Sequence, residues 1–113
     1  MHTVLPWPPK ALSPNARVHW AVKSAAAKRY RLACFALGRE SGLNPIKASG
    51  RIDLAITFVP PDRRHRDMDN MLASIKSGLD GISDALQVND KQFRLTLEVS
   101  EDIGGMVKVE VTV

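Results

Sequence analysis

Apolar and polar residues alternate over three short stretches of the chain and recur at helical spacing over a longer one. Residues 51–59 set Ile52, Leu54, Ile56 and Phe58 on one side and Asp53 and Thr57 on the other, the two-residue period of a half-buried strand. The same period returns at 92–99 (Phe93, Leu95, Leu97, Val99) and through Val107, Val109, Val111 and Val113. Gly104-Gly105 falls between these last two runs and predicts a hairpin. Residues 2–5 read as a short strand, stopped by Pro6-Trp7-Pro8-Pro9 because consecutive prolines cannot feed a ladder. Residues 10–19 form a loop with turn chemistry at Ser13-Pro14-Asn15.

Two helices fit the rest. Residues 20–40 are alanine-rich, carry Lys23, Lys28, Arg29 and Arg31, and have Gly38 and Gly42 near the end. Residues 42–50 are a connector. Over 68–82, Met68, Met71, Leu72, Ile75, Leu79 and Ile82 make one apolar stripe, with Asp67 placed as N-cap. The order strand–helix–strand–helix–strand–strand predicts an α+β (mixed α/β) domain over residues 1–113, a small β-sheet flanked by two helices.

Charge sharpens this picture. Residues 1–66 hold 12 Lys/Arg against 3 acids, net +9, while residues 67–113 hold 4 against 9, net −5. Such asymmetry favours a polyanionic partner. The two halves meet at Arg63-Arg64-His65-Arg66-Asp67-Met68-Asp69-Asn70. Arginine forks suit phosphate oxygens, and paired carboxylates suit a hard divalent cation such as Mg²⁺. The plain alternative is a solvated turn whose charges neutralise one another.

About 100° per residue returns Lys76 and Asp80 to the flank of Asp69 on one continuous helix. Asp90, just before the 92–99 strand, is positioned to join Asp67 and Asp69 at a sheet edge. Three carboxylates around Mg²⁺ would activate a water for phosphodiester hydrolysis, with Lys76 stabilising developing charge. The bland roles are a cap for Asp67, a turn for Asp90 and an ion pair with Asp80 for Lys76. His2, His19 and His65 lack metal-binding spacing, and no glycine-rich phosphate loop is present. Cys34, the sole cysteine, excludes an intrachain disulfide and a cysteine-rich zinc site, in keeping with a reducing cytoplasm. Residues 1–6 carry no secretory signal, and no run approaches a membrane span.

Leu5-Pro6-Trp7-Pro8-Pro9, the Asn15, Arg17 and His19-Trp20 region, Pro61 through Asn70, Leu79-Asp80-Gly81-Ile82 and Asp84 through Asp90 together resemble the RusA family of Holliday-junction resolvases. The resemblance runs nearly the full length. It implies a RusA-like fold and a homodimeric Mg²⁺-dependent endonuclease that nicks opposed strands of a four-way DNA junction in recombination and repair, with Mn²⁺ as the open alternative to Mg²⁺. Asp67, Asp69 and Asp90 match the family's metal-binding aspartates. The family lysine falls four residues after the second aspartate, where this chain has Ala73; Lys76, three residues further, is the candidate replacement. Arg63, Arg64 and Arg66 are then expected at phosphates near the scissile bond. Lys23, Lys28, Arg29 and Arg31 would lie along a duplex arm, and Asn15, Arg17 and His19 would add contacts from the loop. A nuclease of forks or flaps, a non-catalytic binder of branched nucleic acid, and a small protein-interaction domain are the competing expectations.

Overall fold

Ile52–Val59 (β2) carries the longest apolar alternation, and in the computed structural model, which describes residues 1–113, it runs through the middle of a four-stranded sheet. Phe93–Val99 (β3) pairs parallel to it on one side, Met106–Thr112 (β4) antiparallel on the other, and His2–Pro6 (β1) pairs antiparallel with β4. The sheet order is therefore β1-β4-β2-β3.

This order overturns the hairpin expected from Gly104-Gly105, because β2 lies between β3 and β4. Residues 100–105 are too many for a tight two-residue turn and long enough to cross the end of β2. The crossing is fastened to that end: the amides of Ser100, Gly104 and Gly105 donate to the carbonyls of Phe58, Pro60 and Val59 at 2.8, 2.8 and 2.9 Å. Gly105 makes the last bend at φ 79°, a conformation that costs glycine little.

One face of the sheet is apolar. Leu5, Ile52, Leu54, Ile56, Phe58, Val107, Val109 and Val111 are buried there against the helices. The opposite face, with His2, Val4, Ala55, Lys108 and Glu110, is open. The chain is thus an α+β domain built on a mixed four-stranded sheet.

Trp20–Glu40 (α1) has the expected bounds. Its buried Ala26, Tyr30, Cys34 and Gly38 recur every four residues, one stripe of a helix. The Tyr30 hydroxyl donates to the Pro6 carbonyl at 2.6 Å, tying this helix to the end of β1. Burial pushes the Tyr30 hydroxyl's pKa up and lifts that of the Cys34 thiol to about 11, so neither group ionises near neutrality.

The helix expected over 68–82 is two: Met68–Ser74 (α2) and Lys76–Leu86 (α3), with Ile75 between them at φ −99° and ψ 4°. The Ser74 hydroxyl donates back to the Asn70 carbonyl at 2.8 Å, a bond that competes with the helical ladder and bends it. Beyond the bend α3 packs against α1 through Gly78 and Gly81. A Cβ on Gly78 would lie 2.7 Å from the Tyr30 ring, and one on Gly81 would meet the Arg31 carbonyl and stand 2.9 Å from the Phe35 amide nitrogen. Arg31 locks the pair outside with a two-pronged bridge to Asp84 at 2.7 and 2.9 Å.

Gly81→Ala should therefore force the helices apart and lower stability by about 1–3 kcal/mol, read from urea unfolding midpoints. The hydrogen bonds and charge of Arg31 hold the Asp84 carboxyl below the usual carboxylate range. A carboxyl depressed on folding stabilises the native state above its unfolded pKa, about 3.9, and loses that contribution as pH falls through the folded value. Asp84→Asn should thus cost less than about 1 kcal/mol at neutral pH, since the pair is exposed. Thermal melts of variant and wild type should converge in acid.

Candidate metal and nucleic-acid site

β2 delivers the chain to Pro60-Pro61 at one end of the sheet, and the basic-acidic segment folds there around Asp62. The Asp62 carboxylate accepts from the backbone amide of Arg64 at 3.0 Å and pairs with the side chains of Arg64 and Arg66 at 3.3 and 2.9 Å. The Arg64 amide, followed by the two guanidiniums, holds the Asp62 carboxyl below its ordinary range. Arg66 turns inward: Nη1 donates to the carbonyls of Asp62 and Arg64 at 3.2 and 3.1 Å, and the guanidinium lies over the Trp7 ring at 5.5 Å. With its side chain only 17% exposed, Arg66 braces the loop and at the same time lines the groove described below. Arg63 is exposed and unpaired. The Asp62-x-Arg64-x-Arg66 spacing was the available signal that Asp62 organises this loop.

Asp67 occupies the N-cap position of α2, its backbone extended at φ −79° and ψ 137° and its carbonyl accepting from Met71 at 3.1 Å. Its carboxylate makes no cap bond, contrary to expectation, and instead faces His65 Nε2 at 3.3 Å. Asp69 follows in the first turn, exposed and without a partner. Both carboxylates are exposed, Asp69 without a partner and Asp67 with His65 alone, and their oxygens suit an oxygen-seeking cation. Beside Asp67 a groove of about 650 Å³ runs between the Trp7–Lys10 segment, the turn around Asn15, and the 64–67 loop. Lys10, Arg64 and His65 line it, and Phe58 and Met71 form part of its wall. Lys10 belongs to the site and was not singled out from the sequence.

The other expected residues divide. Lys76 opens α3, exposed and in no ion pair, so its pairing with Asp80 is not formed. The bend at Ile75 removes the straight-helix phase that placed Asp69, Lys76 and Asp80 on one flank. Lys76 lies about 10 Å along the chain's helical rise from Asp69, and helical side chains lean back toward the N-terminus. Asp80 contributes instead to the field on Arg31.

Asp90 does not join Asp67 and Asp69 within one chain. It sits in the turn Asp90–Gln92, whose Gln92 side-chain Nε2 donates to the carbonyls of Ala48 and Gly50 at 2.7 and 2.9 Å, beside the start of β2. Asp67 and Asp69 follow the end of β2, a strand that spans about 25 Å at its ordinary rise. No three His, Cys, Asp or Glu side chains gather to hold a metal in the single chain. The two carboxylates fit Mg²⁺ nonetheless, since that ion is commonly held by one or two carboxylates plus waters and substrate phosphate.

Among the more distant basic groups, Arg17, Lys28 and Arg29 are exposed and unpaired. Lys23 donates to the Ser13 carbonyl at 3.3 Å, and Arg31 is committed to Asp84. His19 caps α1, its Nδ1 accepting from the Ala21 amide at 3.1 Å. Asn15 faces the groove. No helix is long and apolar enough to cross a membrane.

No protein-family model matches the chain. An uncharacterized protein of Xylella fastidiosa (strain Temecula1 / ATCC 700964) is 41% identical over 111 residues, an alignment that covers 96% of this chain and 72% of that protein. At that identity and coverage, the chain belongs to the same family as the Xylella fastidiosa protein.

Proposed function

We propose that the chain is a Mg²⁺-dependent, structure-specific endodeoxyribonuclease of RusA type, acting as a homodimer in the bacterial or phage-infected cytoplasm to resolve four-way DNA junctions by paired symmetric nicks. The observation that carries the proposal is the exposed carboxylate of Asp67 in the lining of a groove with Lys10, Arg64, His65 and Arg66, followed two residues on by the exposed and unpaired Asp69. Carboxylates left free next to a basic groove match what a phosphodiester and its cation require together.

Asp67 and Asp69 would hold Mg²⁺, or Mn²⁺ in its place. When bound, the ion supplies Lewis acidity toward a phosphoryl oxygen and a more acidic water. Arg63, with the free side of Arg64, fixes the phosphate, and Arg66 keeps the loop in shape for them. Lys76 neutralises charge developing on the departing oxygen. Arg17, Lys28 and Arg29 hold the duplex arms by backbone contact, which sets affinity and position without reading sequence. Asp90 serves the same site only when a second copy supplies it, and paired opposed cuts call for two active sites related by a two-fold axis.

A non-catalytic binder of branched DNA is the second reading, favoured by the wide separation of Asp90 from the other two aspartates within one chain. A labelled four-way junction, a fork and a linear duplex, each with Mg²⁺ or EDTA, separate the two. The nuclease reading expects symmetric nicks in the junction that EDTA abolishes. Asp69→Asn should lower cleavage by more than about a hundredfold, beyond the loss typical of a mere supporting partner to a metal ligand, while junction binding persists. Binding without any metal-dependent cleavage would leave the binder.

The arginines should separate in a different assay. Arg63→Ala should reduce the slope of log affinity against log salt by about one and leave the melting temperature unchanged. Arg66→Ala should instead lower the melting temperature, because it removes the strut between Asp62 and Trp7.

A further inference from the structure

β3 is an edge strand whose only guards are the charges of Arg94 and Glu98. It contains no proline, no lysine and no bulge, whereas the opposite edge, β1, ends in Pro6 and runs into Pro8-Pro9. Its apolar side chains continue the buried face of β2 in register, Leu54 beside Leu95 and Phe58 beside Val99. Yet Leu95 and Val99 are 40% and 41% exposed, so the helix layer stops short of them. The Ser100 amide bonds to Phe58, which by strand alternation turns the even-numbered backbone groups of β3 toward β2. The amides and carbonyls of Phe93, Leu95, Leu97 and Val99 therefore point outward, and only the Phe93 carbonyl has a partner, the Arg94 side chain at 3.1 Å.

The strand reads Phe93-Arg94-Leu95-Thr96-Leu97-Glu98-Val99 and is self-complementary about Thr96. Laid antiparallel on a second copy with Thr96 on the two-fold axis, it opposes Arg94 to Glu98 of the partner subunit, Leu95 to the partner's Leu97, and Phe93 to the partner's Val99. The outward backbone groups then form the hydrogen-bonded pairs and Thr96 falls in a close, non-hydrogen-bonded pair. The neighbouring registers that keep the outward groups paired, centred on Leu95 or Leu97, lose the match of opposite charges. Arg94 and Glu98 lie on the open face, exposed, and Glu98 has no ion pair within the chain.

We infer that β3 is the dimer surface: two copies pair antiparallel through it, in the register set by Arg94 and Glu98, into one continuous eight-stranded sheet. Cross-strand contacts of opposite charge, threonine with threonine, and leucine with leucine are each favourable. Reversing the strand direction carries the partner's Asp90 to the end of the sheet where Asp67 and Asp69 lie. That consequence rests on the nuclease reading, whereas the interface itself stands on β3 alone.

Sedimentation equilibrium of the full chain without DNA or metal tests the interface independently of any activity. The wild type should be dimeric; Arg94→Glu and Glu98→Arg should each weaken the dimer at least tenfold, by opposing like charges; and the double exchange should restore it. The exposed positions leave folding intact, which circular dichroism melts check. Thr96→Cys should form a covalent dimer on mild oxidation, because Cα atoms in a non-hydrogen-bonded pair, about 4.5 Å apart, lie within disulfide range, while buried Cys34 gives none. A monomeric wild type, a dimer indifferent to either reversal, or a double exchange without rescue would overturn the interface whether or not the protein cleaves DNA. Dimers with the expected charge behaviour but no cleavage would retain the interface and remove the nuclease reading.

Discussion

β2 must be hydrogen-bonded along both edges while its apolar side is buried, and most of the molecule is arranged around that requirement. Its inward side chains from Ile52 to Phe58 are almost wholly shielded, so neither flank can be left to water at low cost. β3 takes one flank in parallel and β4 the other in antiparallel, and a parallel neighbour demands a long crossover. α2 and α3 are that crossover. They begin where β2 ends and return to where it begins. The same geometry separates the two ends chemically: the loop leaving β2 holds the arginines and Asp67, and the turn that re-enters the sheet holds Asp90. Separation of the aspartates is thus a direct result of strand direction rather than an accident of loop shape.

The candidate site gains its form from a second tier of contacts. Asp62 is the hub, and Arg66 is drawn in beneath it and over Trp7. One carboxylate thereby fixes two guanidiniums, leaving Arg63 outside the cluster and Asp67 free of capping. The acid and the bases in this stretch do not simply cancel. They sort into an inner set that shapes the loop and an outer set that meets solvent.

Much of this was legible in the sequence where a single local rule decides the outcome. The alternation over 51–59 and the alanine-rich run over 20–40 gave their elements because burial of one face settles each. The α+β class with four strands followed from counting such runs. What escaped depended on partners distant in the chain. Gly104-Gly105 resembles a turn between adjacent strands, and nothing local reveals that β2 occupies the space between them. The break at Ile75 interrupts an intact apolar stripe and comes from the hydroxyl of Ser74 and the close seat of Gly81 on α1. Asp90 carries no mark of which end of the sheet it will reach. Arg66 is chemically indistinguishable from Arg63 until Trp7 is placed beneath it.

Trp7 is held from several directions at once: its ring meets Phe58 edge-on at 6.3 Å, Arg66 covers it, and the neighbouring Pro6 carbonyl is anchored by Tyr30 from α1. Three prolines stiffen the backbone around it. A groove wall fixed in this way has little conformational freedom left to surrender when a ligand arrives, so the entropy of ordering it has been met during folding rather than during encounter. Its shape then acts as a fixed gauge: whatever partner arrives must fit the wall as it stands.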